Sequence, residues 1–122
     1  MGIPSRIMAG GVSALAANQI CGDVTDSITA TGTTSADAVA LSTIINRVTT
    51  TAASTGAVLM APEAGSAVVV INSGANALLV YPSTGASINA LTATTGGFSV
   101  AAGGRAMFVG LSSSRWFAIL SA

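Results

Sequence analysis

Ionic side chains are so scarce in this sequence that a folded chain cannot clothe its surface in them. Of 122 residues, four are Arg and four are Asp or Glu, none is Lys or His, and 51% are apolar. Charged residues normally make up about a quarter of a globular chain. A monomer of this mass exposes roughly 5,900 Å², so apolar, hydroxyl and amide groups must fill most of that area. A formal net charge of zero adds to the tendency to associate. The composition points to a subunit covered in part by other subunits.

The length suits one domain that folds without a metal or a disulfide. Arg6, Arg47, Arg105 and Arg115 are scattered and balanced by Asp23, Asp26, Asp37 and Glu63. No basic patch results that could neutralise a run of phosphates, which argues against nucleic acid as a partner. Cys21 is alone and reads as a small apolar residue. No stretch approaches the roughly 18 consecutive apolar residues of a membrane span. The segment from Ile7 to Ala17, behind Arg6, imitates a signal peptide only weakly, because Gly10, Gly11 and Ser13 interrupt it. Residues 1–22 are read instead as an extended N-terminal arm, with a short helical turn over Ser13 to Asn18 as an alternative.

From residue 23 to 122 the texture is all-β. Apolar and β-branched runs are broken by Gly, Pro, Asn and Ser every eight to twelve residues. Strands are expected over 24–31, 43–52, 57–60, 66–72, 77–81, 87–91, 97–101, 105–112 and 115–120. A turn of helix over Ala36 to Leu41, capped by Ser35, is expected between the first two. Asn72-Ser73-Gly74-Ala75-Asn76 reads as the clearest hairpin, with Gly74 free to take a positive φ. Ala102-Gly103-Gly104 and Leu111 to Arg115 read as further reversals, and Pro62 and Pro82 as strand ends. The expected architecture is a compact antiparallel β-sandwich or barrel, jelly-roll-like.

The best strands do not alternate. Ala67 to Ile71, Leu78 to Tyr81, Met107 to Val109 and Trp116 to Leu120 are apolar on both faces. A lone antiparallel sandwich shows polar residues outward, so a second layer from other copies is expected over the outer face. Ser42 to Thr51 mixes hydroxyls and Arg47 with apolar residues and suits a solvated or inter-subunit surface. Arg47, Arg105, Arg115 and Trp116 are the expected subunit-interface residues.

Catalytic apparatus is thin. Serine hydrolysis needs a base beside the nucleophile; there is no His or Lys, and Gly-x-Ser-x-Gly does not occur. Asp23 and Asp26, read as projecting from one turn, offer too few oxygens for Ca²⁺. The glycine pairs fit no nucleotide fingerprint. No cofactor and no enzymatic activity are expected.

One further pattern covers about four fifths of the chain. It comprises Val48-Thr49-Thr50-Thr51, Gly56 to Pro62, Val69-Val70-Ile71-Asn72-Ser73-Gly74-Ala75-Asn76-Ala77-Leu78-Leu79-Val80-Tyr81-Pro82, Gly85 to Leu91, Phe98 to Gly103 and Arg115 to Ile119. It resembles small virion structural proteins of tailed bacteriophages, some of which cement or decorate the capsid as trimers. The resemblance implies a β-sandwich or barrel that acts by binding. The implied partners are sister copies, as a homotrimer, and the major capsid protein on the outer surface of the head. The arm residues Ile3, Pro4, Arg6, Ile7 and Met8 are the expected capsid contacts. A tail-fibre, knob or baseplate module that recognises a host surface is the competing expectation.

Overall fold

The computed structural model describes residues 23–120 together with Gly11. The expected arm contacts Ile3, Pro4, Arg6, Ile7 and Met8 lie outside the described residues. Ten strands form: β1 (Val24–Thr29), β2 (Val39–Ala40), β3 (Ile45–Thr50), β4 (Gly56–Val58), β5 (Ala67–Asn72), β6 (Leu78–Tyr81), β7 (Ser87–Ile88), β8 (Phe98–Val100), β9 (Arg105–Ser112) and β10 (Arg115–Leu120). The β-branched runs Val68-Val69-Val70-Ile71 and Val48-Thr49-Thr50 suit a pleated, half-buried surface. All nine expected strands are present, most of them shortened at their ends. The expected helix is not. Residues 36–38 turn and bend, and Val39–Ala40 pair with β4 instead. Asp37 caps that turn by accepting from the backbone N–H and the hydroxyl of Thr34, a local bond that competes with helix formation.

The strands make a six-stranded sheet in the order β1-β3-β5-β9-β10-β7 and a four-stranded sheet in the order β2-β4-β6-β8. Both are mixed, which corrects the wholly antiparallel expectation. β1, β3 and β5 are parallel, as are β2, β4 and β6, and β7 lies parallel to β10. Antiparallel ladders join β5-β9-β10 and β6-β8, and an isolated antiparallel bridge joins Thr31 to Gly56. From β1 to β6 the chain alternates between the sheets, so it winds as a flattened coil with each new strand beside the last one in its own sheet. β8, β9 and β10 then close the coil with antiparallel strands.

The corners of the coil keep its ladder continuous. Ala30 N donates to Thr50 O at 2.8 Å, Leu41 N to Val58 O at 2.9 Å, and Leu59 N to Tyr81 O at 2.8 Å. The stretch Asn72 to Asn76 is one such corner, because β5 and β6 belong to different sheets; this corrects the expected hairpin. Asn72 Nδ2 donates to Asn76 O at 2.8 Å and to Val100 O at 3.0 Å, while Asn76 Nδ2 donates to Thr51 O at 2.8 Å. Gly74 is required there by proximity to Thr51, whose backbone and side chain occupy the place of a Cβ. The chain from β8 through Ala102-Gly103-Gly104 likewise crosses between sheets, whereas β9 and β10 form the hairpin expected around Ser112 to Arg115.

The inner faces share one core. Val48, Val68, Val70, Ala106, Phe108, Ile88 and Trp116 from the larger sheet meet Ala57, Leu78, Val80 and Val100 from the smaller one. Phe98 meets Phe108 edge-on across the sheets, with ring centroids 5.7 Å apart. This sandwich-like core lies between the sheets; on the other face of the smaller sheet Tyr81 is also buried, its hydroxyl donating to Thr33 O at 3.4 Å.

Candidate assembly surface

Strand periodicity of two sends every second residue of the larger sheet outward. On β5 these are Ala67, Val69 and Ile71; on β9 they are Arg105, Met107, Val109 and Leu111; on β10 they are Arg115, Phe117 and Ile119. Register then aligns them into rows. Val24 pairs with Ile45, Ile45 with Val69, Val69 with Met107, and Met107 with Ile119. This row is apolar across five strands. A second runs Ala67–Val109–Phe117. The two rows lie side by side and form one band.

Much of that band meets solvent. Val24 is 59% exposed and Ile119 56%, with Met107 and Phe117 partly exposed. Isolated surface apolar residues are ordinary, but contiguous ones mark interaction surfaces. At the β9–β10 end the band is indented by a depression of about 320 Å³ lined by Val69, Arg105, Met107, Ile119 and Leu120.

Charge frames the band. Arg105 pairs with Ile71 and Ile71 with Arg47, so both guanidiniums lie one row from the apolar row. Arg47 Nε donates to Asp26 Oδ1 on β1, an ion pair that stays partly exposed. That bond holds the Asp26 carboxyl below its ordinary value and raises Arg47 above its own. Asp23 therefore precedes the edge strand and Asp26 stands within it, so the two do not project from one turn as the spacing suggested. Ser27 follows with a φ of 63°, at the register shift between Thr25 and Ile28. This bulge lets Asp26 stay outward while Ile28 turns back to the core. Asp23 and Glu63 border a separate depression of about 250 Å³ near Ser42, Thr43 and Ser66.

The expected interface residues separate into two groups. Arg47, Arg105 and Arg115 all stand on the outer face of the larger sheet. Trp116 does not: it is fully buried in the chain's own core, and its Nε1–H donates to Met60 O at 3.3 Å. Its role is core packing, which corrects the interface expectation. The sequence missed the band as a unit. Its signal was present in the unalternating strands, but the register that lines up Val24, Val69 and Met107 comes from the parallel coil and the antiparallel β9 beside it.

Among the described residues no helix is long and apolar enough to cross a membrane. Comparison with known proteins finds no matching family model, no matching curated protein and no matching solved structure.

Proposed function

We propose that this chain is a non-enzymatic structural subunit of a tailed-phage virion. It acts as a cement or decoration protein bound to the major capsid protein on the outside of the head. The observation that carries this reading is the apolar band across five strands of the outer sheet face, on a chain with eight charges in all. Such a face is costly to leave in water and is stabilised by association. The sequence resemblance supplies the kind of particle. A protein that binds only the assembled lattice stabilises it by its binding free energy, and many symmetric sites add avidity.

The test is uptake. Labelled full-length chain is mixed with heads stripped of accessory proteins, and the heads are sedimented. Saturable uptake in a fixed ratio to coat subunits, with heads made more resistant to heat, is the expected result. A chain that stays in the supernatant and binds host-surface glycans would replace this reading with the host-recognition one.

A further inference from the structure

We infer that the depression at the β9–β10 end of the band is a recognition pocket. It receives an apolar side chain of the partner protein, while Arg105 on its rim pairs with a carboxylate that the partner carries next to that side chain. The inference deepens the structural-subunit reading and rests on it, because it names the chemistry that the partner must present to this face.

The apolar half follows from the lining. Val69, Met107 and Ile119 stand in one row across β5, β9 and β10, and Ala106 and Leu120 lie between that row and Arg105. Ile119 and Leu120 are exposed, and Met107 partly so. A volume of about 320 Å³ is enough for one leucine- or phenylalanine-sized group. Filling it takes apolar surface out of water on both sides of the contact.

The charged half follows from where the acids are. Among the described residues Arg105 is the only charged group lining this pocket, and it is exposed. Asp26 is bonded to Arg47, on a strand two away from β9. Asp37 accepts from Thr34 in its own turn. Asp23 and Glu63 border the other depression with Ser66. Ser66 precedes Ala67, whose partner Val109 lies four residues along β9 from Arg105, roughly 14 Å. A wholly apolar partner would therefore cover the Arg105 guanidinium without matching it, a cost that a facing carboxylate offsets. The planar fork of a guanidinium suits a carboxylate through two parallel N–H···O bonds.

Spacing sets how the partner presents the two groups. Met107 and Arg105 point to one side of β9 two residues apart, roughly 6.8 Å. An extended partner segment with an apolar residue at one position and Asp or Glu two positions along shows both on one side at the same spacing. One cation is too few to hold an anionic membrane, which takes a cluster of basic residues. The occupant is a protein segment.

Two measurements on the full chain test this. In the first, octanoate, octanol and octylammonium are titrated while the Met107 methyl is followed by NMR. The native chain, Arg105→Gln and Arg105→Lys are compared, each shown to be folded by circular dichroism. Octanoate is expected to bind about fivefold or more tighter than the other two probes. Arg105→Gln should abolish that advantage, and Arg105→Lys should keep part of it. Equal binding of the three probes, or no shift at Met107, overturns the inference. In the second, uptake by stripped heads is compared for the native chain and Arg105→Asp, whose affinity should fall about tenfold or more. Uptake unchanged by Arg105→Asp overturns the inference while leaving the cement reading in place. Heads that ignore the native chain sink the cement reading, and the octanoate result then decides the pocket by itself. Flotation of the native chain with phosphatidylserine vesicles, lost in Arg105→Gln, overturns the assignment to a protein partner.

Discussion

Asn72 holds together three parts of the chain. Its side-chain amide donates to carbonyls of the Asn76 corner and of Val100, and its Oδ1 accepts from Gly74 N at 3.0 Å. Removing it takes a donor from the buried Val100 carbonyl and loosens the Asn76 corner. Asn72→Ala is expected to destabilise the fold by about 2–4 kcal/mol, read from urea denaturation. Asn72→Asp should be no better, since it keeps an acceptor where donors are needed. A smaller residue-scale effect concerns Asp37. Two bonds from Thr34 lower its carboxyl below the usual value. Thr34→Val removes the hydroxyl donor, and carboxyl NMR titration should show Asp37 moving back up. At this scale the sequence was a partial guide. Pro82 marked a strand end, and Asn72 and Gly74 marked a change of direction. Which change it was depended on Thr51, 21 residues away, and no local pattern contains that neighbour.

Among the elements, β1 is held weakly by the core: of its six residues, only Thr25 and Ile28 are half-buried. Its ladder to β3 is interrupted by the Ser27 bulge, and the Asp26–Arg47 ion pair ties it down beyond that break. The sign of the pH effect follows from the lowered Asp26 pKa. The contribution is present above the ordinary carboxylate value of 3.8 and is lost as pH falls through the depressed one. Amide exchange over Val24–Thr29, compared with Asp26→Asn at each pH, should show more protection in the native chain near neutrality. The two proteins should converge in acid, with the core strands unchanged. The positions of the strands were legible from hydrophobic runs and turn residues. Their pairing was not, because Val69 and Val70 suit a parallel neighbour as well as an antiparallel one. The expectation of Ala36 to Leu41 as a helix failed because Asp37 bonds back to Thr34 and leaves Val39 free to pair.

For the whole molecule, the scarcity of charge and the unalternating strands led to the expectation of a covered outer face, and the structure shows which apolar residues stand on the outer face of the six-stranded sheet. Arg47, Arg105 and Arg115 stood out in the sequence because cations are so few, and they stand on that outer face. Trp116 was misplaced because a strand apolar on both sides does not reveal which side is inward. The distinction is testable. Ile119→Lys, on the outer face, should change the unfolding free energy of the isolated chain by no more than about 0.5 kcal/mol while raising its solubility. Trp116→Ala should cost about 3–5 kcal/mol.

The coil from β1 to β6 has one more consequence. Each circuit contacts only the circuits above and below it, while β8, β9 and β10 seal one side of the stack. Architectures of this kind are additive along their axis. Duplicating a stretch such as 45–66 would insert a rung and leave that seal intact. A chain wound this way can therefore change height by whole storeys, the corner of Thr51 against Asn72 and Asn76 being the joint that each new storey would repeat.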